Sequence, residues 1–267
     1  MPPPRIETSK APRVGAFFVA LVWQNCIVAG PCSPPPETED VKIRYVFDGD
    51  TLALRDNSRL RLIGVNTPEM GHDGARADAL AVEARNRLRQ LLTQHGNRAR
   101  LSHGLEQDDP HGRALGHLWL DDGTNVTAQL LREGLGWAVA FPPNLRFLDC
   151  YLASEQTART QNRGVWSHPD LAAHPSATLN LRTRGFLRVT GRVTRVNHGG
   201  GATWIGLQGR FSARIPDADL NRFESPPGSS WIGKNVEVRG WVRSVKGELR
   251  VTIRHPSALA LQSVDGR

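Results

Sequence analysis

From Val41 the side chains alternate with the period of a strand that buries one face: Val41, Ile43, Tyr45 and Phe47 on one side, Lys42, Arg44 and Val46 on the other. Asp48-Gly49-Asp50 interrupts the run, Thr51 to Arg55 resumes it, Asp56-Asn57-Ser58 turns, and Arg59 to Val65 makes a third strand. The period then lengthens. Leu80, Ala84, Leu88, Leu91 and Leu92 fall on one helical stripe, with Arg85, Arg87 and Arg89 off it. Two further strands, Arg98 to Leu105 and Arg113 to Leu120, flank the polar turn from Glu106 to Gly112. Two further helices follow, Asn125 to Glu133 stopped by Gly134 and Leu145 to Gln161 stopped by Gly164. Residues 41–170 therefore read as an α+β domain, a small five-stranded barrel carrying three helices.

Residues 171–184 are loosely patterned and read as a linker. In residues 185–262 the strand period returns over Phe186 to Val196, Thr203 to Gln208, Arg210 to Ile215, Asn235 to Val245 and Glu248 to Arg254. Turns fall at His198-Gly199-Gly200-Gly201 and Lys246-Gly247, with an excursion from Asp217 to Gly233. That order predicts a second, all-β five-stranded barrel of the oligonucleotide-binding type.

Residues 1–40 are not domain-like. Arg5, Lys10 and Arg13 precede an apolar run from Val14 to Trp23, followed by Ile27-Val28-Ala29-Gly30 and a proline-rich stretch. A run of that length behind basic residues predicts a signal peptide or membrane anchor, with membrane association through residues 14–30. The protein is thus expected to be secreted or tethered outside the cytoplasm. Ser33 to Asp40 reads as an extended acidic tether. Cys26, Cys32 and Cys150 are too irregularly spaced to suggest a zinc module or a disulfide framework, and Cys150 is expected to be buried on the third helix.

Charge sharpens the division into two units. The chain of 267 residues carries a formal +8, and residues 178–267 hold 15 Lys plus Arg against 6 Asp plus Glu, so the excess lies entirely in the C-terminal third. A basic module beside a nearly neutral one suggests that the first holds a polyanion on which the second acts, and nucleic acid is the commonest polyanion.

Three segments of the first unit carry the chemistry. They are Phe47-Asp48-Gly49-Asp50-Thr51, Arg61-Leu62-Ile63-Gly64-Val65-Asn66-Thr67-Pro68-Glu69 and Asp109-Pro110-His111-Gly112-Arg113. Asp50, Asn66 and the Thr67 carbonyl offer hard oxygens that suit Ca²⁺ or Mg²⁺ better than zinc. Glu69, held by Pro68, can take a proton from water, and Arg61 and Arg113 can each grip phosphate oxygens through paired hydrogen bonds. Together they fit hydrolysis of a phosphodiester, whose transition state gains negative charge. Asp48 reads as a turn former or as a group ordering water around the cation, and Asp108 and Asp109 as turn formers.

With Gly134-Leu135-Gly136-Trp137 and Arg163-Gly164-Val165-Trp166 added, the span Val41 to His168 resembles the staphylococcal nuclease, or thermonuclease, family, with matching segments in the same order. The resemblance implies a barrel with flanking helices and Ca²⁺-dependent cleavage of DNA and RNA that leaves 3′-phosphates. It implies Asp50 and the Thr67 carbonyl as calcium ligands, Glu69 as general base, and Arg61 and Arg113 as phosphate-binding groups. Asn66 stands where the family usually has a second ligating aspartate, which predicts weaker metal binding. Pro110 and His111 replace Lys and Tyr of the best-known member, and its nucleotide-stacking tyrosines have no clear counterpart near Ala138 to Pro143.

Gly191-Arg192-Val193 and Gly233 to Gly240 resemble nucleic-acid-binding barrels attached to bacterial nucleases and helicases. Phe186, Trp204, Phe211 and Trp241 are candidate stacking platforms, and Trp241 with Arg239 and Arg243 is preferred, with Trp204 next. Trp231 reads as a packing residue. The expected partner is DNA or RNA as substrate, with no stable protein partner. The alternative is a catalytically weak nucleic-acid-binding or DNA-uptake protein that uses the nuclease fold as a binding module.

Overall fold

The computed structural model describes Met1 and residues 32–71, 74 and 76–262. The apolar segment of residues 14–30, on which the expectation of a signal or anchor rests, lies outside these. Among the described residues no helix is long and apolar enough to cross a membrane.

The alternating segment at Val41 forms β1 (Glu39–Val46), followed by β2 (Thr51–Leu54), β3 (Arg59–Leu62), β4 (Val65–Asn66), α1 (Ala81–Gln94), β5 (Arg98–Asp108), β6 (Ala114–Trp119), α2 (Val126–Arg132), β7 (Trp137–Ala138) and α3 (Leu148–Thr160). Strands β1, β2, β3, β6 and β5 close into a barrel in that order, with β3 parallel to β6. The α1 stripe Ala84, Leu88, Leu91 and Leu92 is buried, as its spacing predicted.

Three elements differ from the periodicity. In β1 an irregularity between Ile43 and Tyr45 breaks the alternation, so Val46 is buried and Tyr45 is 49% exposed. The third strand does not run to Val65: it stops at Leu62, and β4 pairs with β7 outside the barrel. The break is at Gly64, whose φ of +87° favours glycine and where a Cβ would collide with the Tyr151 ring on α3. Helix α3 starts at Leu148 rather than Leu145. Upstream of it, Asn144 clasps β5, accepting from Glu106 N (3.0 Å) and donating to Glu106 O (2.9 Å).

Cys150 is buried on α3 as expected, but the reading that the cysteines form no disulfide is overturned. Cys32 and Cys150 form a disulfide across 118 residues, with Cα atoms 5.4 Å apart. Sequence spacing carries no information about such a pairing, because the ring it closes is created by the fold. The segment after Cys32 is not a free tether either: Trp119 Nε1 donates to Cys32 O (2.7 Å) and Pro35 is buried.

Past the first barrel come β8 (His174–Pro175), β9 (Gly185–His198), β10 (Ala202–Leu207), β11 (Phe211–Pro216), β12 (Asn235–Val245), β13 (Glu248–Thr252) and β14 (Leu259–Leu261). β9, β10, β11, β13 and β12 form the second barrel, closed by β12 on β9, with β11 parallel to β13. Both barrels therefore share one strand order, in which the third strand runs parallel to the fifth. Phe211 belongs to the core of the second barrel, and Trp231 packs against it.

The barrels meet along the outward row of β12. Arg239 donates to both carboxylate oxygens of Glu155 on α3 (2.7 and 2.8 Å), and Glu155 Oε1 also accepts from Ala138 N in β7 (2.6 Å). Beside this pair, Trp137 stacks on Phe186 with ring centres 5.2 Å apart, and Phe186 meets Trp241 edge-on at 4.8 Å.

Candidate active site

The turn after β1 is shaped by its own side chain: Asp48 Oδ1 accepts from the backbone N–H groups of Asp50 (2.9 Å) and Thr51 (2.6 Å). Gly49 is required there, because a Cβ would lie 2.7 Å from Ala84 Cβ on α1 and from Thr67 Cγ2. The turn delivers Asp50 to a buried position. Its Oδ2 accepts from Thr67 N (2.8 Å) and Thr67 Oγ1 (3.1 Å), and its Oδ1 from Thr51 Oγ1 (3.1 Å). Oδ1 also pairs with Arg61 Nη1 at 2.7 Å.

Arg61 Nη2 reaches on to Asn66 Oδ1 (3.2 Å), and Asn66 Nδ2 faces Thr67 O at 3.4 Å. The three expected ligand residues and Arg61 thus form one connected group. The donor chemistry fits a hard divalent cation: Asp50, Asn66 and Thr67 offer oxygens within one hydrogen-bonded group, and the Arg61 guanidinium bridges Asp50 and Asn66 as a positive group. Burial, and then the charge of Asp50, pushes the Asp48 carboxyl up to about 7. A cation beside Asp50 would relieve that repulsion.

Arg113 is held from below. Asp109 Oδ2 accepts from Arg113 Nε (2.7 Å), Oδ1 accepts from the backbone N–H groups of His111 (2.9 Å) and Arg113 (3.0 Å), and Arg113 Nη1 reaches Thr51 Oγ1 at 3.3 Å. Burial pushes the Asp109 carboxyl up, but the hydrogen bonds from Arg113 and His111, with the Arg113 charge, together outweigh it and leave the group below its usual range. Asp109 is more than a turn former, since it aims the guanidinium. Its four-residue spacing from Arg113 was the signal for that pairing.

A cleft of about 720 Å³ gathers Asp50, Arg61, Asn66, Glu69, Asp109 and Arg113. Thr67 adjoins it through its bonds to Asp50. The opposite wall was not anticipated: Trp241, Arg243, Thr252 and Arg254 of the second barrel line the same cleft. Trp204 lies elsewhere, in a hollow of about 300 Å³ with Arg195 and Arg250. Its ring lies under the Arg250 guanidinium, 4.9 Å from the ring centre. Arg239 requires correction as a nucleic-acid contact. It is 8% exposed and closed off against Glu155, because β12 turns this part of its outward row onto the first barrel.

The family model for staphylococcal nuclease homologues matches residues 59–168, which include Arg61, Asn66, Thr67, Glu69 and Arg113. The thermonuclease of Staphylococcus intermedius is 30% identical over 155 residues, covering 56% of this chain and 90% of that protein. The chain belongs to the staphylococcal nuclease family. Also similar are the SPbeta prophage-derived endonuclease YokF of Bacillus subtilis (27% identical, 49% of this chain, 45% of that protein) and the endonuclease YncB of the same organism (27%, 48% and 62%). As a staphylococcal nuclease homologue the protein is a phosphodiesterase acting on nucleic acid, built as two small barrels with the helices on the first. Asp50 precedes the matched span, and the β1–β2 turn brings it into the site.

Proposed function

We propose that the protein is a Ca²⁺-dependent nuclease that hydrolyses DNA or RNA to 3′-phosphate ends, with the second barrel holding the strand. The observation that carries this reading is the meeting of Asp50, Arg61, Asn66, Glu69 and Arg113 in one cleft. Asp50, Asn66 and the Thr67 carbonyl would hold the cation, which when bound neutralises charge on the phosphate and favours ionisation of a nearby water. Glu69 takes a proton from the attacking water, and as the new P–O bond forms the bond to the 5′ oxygen breaks and that oxygen leaves as a hydroxyl with a proton drawn from solvent water. Arg61 and Arg113 donate to the non-bridging oxygens, and those contacts strengthen as charge accumulates. Export outside the cytoplasm is the compartment we infer, supported by the Cys32–Cys150 disulfide, since such bonds persist where thiols are not kept reduced.

The test is incubation of the protein with plasmid, single-stranded DNA and RNA in Ca²⁺, in Mg²⁺ and in chelator, with end-group analysis of the products. Cleavage in Ca²⁺ that chelator abolishes, with phosphatase-sensitive 3′ ends, is expected. Undiminished cleavage in chelator would refute the metal assignment, and 5′-phosphate products would refute the polarity.

A further inference from the structure

We infer that the second barrel is a working wall of the active site, and that Trp241 stacks an unpaired base next to the scissile phosphate while Arg243 grips a flanking phosphate. This rests on the reading that the second barrel holds nucleic acid, and it locates that grip beside the chemistry. Trp241 is 37% exposed although it is a large apolar ring, and it lines the same cleft as Arg61 and Arg113. Phe141 of the first barrel, 46% exposed, lies 5.6 Å from it centre to centre. Among the described residues the exposed large aromatics are Tyr45, Phe141 and Trp241, and two of these three line this one cleft. Apolar rings left open beside phosphate-gripping arginines suit a ligand with both a π face and negative charge.

The Trp241 ring is also braced. Phe186 meets it edge-on at 4.8 Å and is itself stacked on buried Trp137, while the Arg239–Glu155 pair locks β12 to α3. A platform held in this way binds with little ordering cost. Two residues on, Arg243 points to the same side of β12, is exposed, and makes no ion pair among the described residues. Its charge is therefore open to phosphate. In a duplex the faces of the bases are covered by their neighbours, so a stacking wall at this position favours single strands.

Full-length Trp241→Leu, Trp241→Phe and Arg243→Gln proteins should be compared with wild type by kcat and KM on short single-stranded and duplex oligonucleotides. Binding of a 2-aminopurine-labelled single strand in chelator, where nothing is cleaved, supplies a second readout. Trp241→Leu should raise KM for the single strand about five-fold or more, with kcat within about two-fold, and should weaken binding of the labelled strand. Trp241→Phe should keep most of both. Arg243→Gln, an exposed change that leaves folding alone, should raise KM and lower the salt slope of binding by about one. An unchanged KM in Arg243→Gln together with unchanged binding in a folded Trp241→Leu protein would overturn the inference. So would an equal loss on duplex and single strand. Failure of wild type to bind any strand in chelator would instead sink the broader reading that the second barrel holds nucleic acid.

Discussion

Arg61 touches Asp50 with one nitrogen and Asn66 with another, so the group proposed to grip phosphate and the oxygens proposed to bind metal are one electrostatic unit. Changing the charge at Asn66 should therefore alter metal demand. Asn66→Asp adds a ligand charge, and half-maximal activity should come at lower Ca²⁺ than in wild type. A titration of rate against free Ca²⁺ that shows no shift, or an upward one, excludes Asn66 from the ligand set. In the proposed mechanism Glu69 and Arg113 act mainly on the transition state. Glu69→Gln and Arg113→Ala should each cut kcat by about 10²-fold or more while the melting temperature stays close to wild type. Full turnover in both would remove them from the mechanism.

At the scale of elements, α3 joins three functions: Cys150 anchors the N-terminal segment, Tyr151 packs under Gly64, and Glu155 receives both Arg239 and Ala138 N. Because Ala138 pairs with Val65, next to Asn66, the docking of the second barrel is wired to the strand that carries a proposed ligand. Removing one partner of this buried pair leaves the other charge unmatched. Arg239→Met or Glu155→Gln alone should cost about 3–5 kcal/mol, and the double variant much less than the sum. Additive losses in urea denaturation would show that the pair is not coupled. Tyr151 also holds His117 on β6, whose Nδ1 lies 2.6 Å from the phenol oxygen. Burial, with a smaller push from Arg146, lowers the His117 pKa from 6.5 to about 3. Between these values the unfolded chain binds the extra proton. Stability should therefore be full above about pH 6.5 and fall on acidification by up to about 1.4 kcal/mol per pH unit. Denaturation midpoints at pH 7 and pH 4.5 should differ less in His117→Gln than in wild type, and an identical acid sensitivity would absolve this residue.

For the whole molecule, the charge asymmetry predicted a basic unit that holds a polyanion beside a nearly neutral one, and the structure joins the two barrels by a buried ion pair and a shared cleft. The outward row of β13 connects the two hollows: Arg250 lies at the Trp204 hollow, while Thr252 and, just beyond, Arg254 line the cleft shared with the first barrel. Four residues of extended chain span about 13 Å, so a single strand reaching from one to the other would follow the barrel surface. Arg214, whose guanidinium lies 5.8 Å from the Trp204 ring centre, stands beside Arg250 there. Arg214→Gln and Arg250→Gln should weaken binding of long single strands and lower its salt slope by about one each, yet spare oligonucleotides too short to leave the cleft. Anisotropy titrations across salt would decide it, and an equal effect on short strands would contradict a separate distal face.

Some of this was determined by the sequence alone, because local pattern encodes it. The strand beginning near Val41, the leucine stripe of α1, and the Asp-Gly-Asp and Asp-Pro-His-Gly-Arg turns follow from backbone geometry acting over a few residues, whereas the irregularity that turns Tyr45 out and Val46 in does not. The same local order marked Asp50, Arg61, Glu69 and Arg113 as chemically apt, and they do meet in one cleft. What only the tertiary structure decided are pairings between distant segments. Cys32 with Cys150, Arg239 with Glu155, and Trp241 across from Arg113 depend on how one surface lands on another, and spacing along the chain leaves that undetermined. Arg239 shows the physical reason. On a strand it reads as an exposed cation among others, and only the approach of α3, which excludes water and supplies a carboxylate, makes it a structural group instead of a ligand contact.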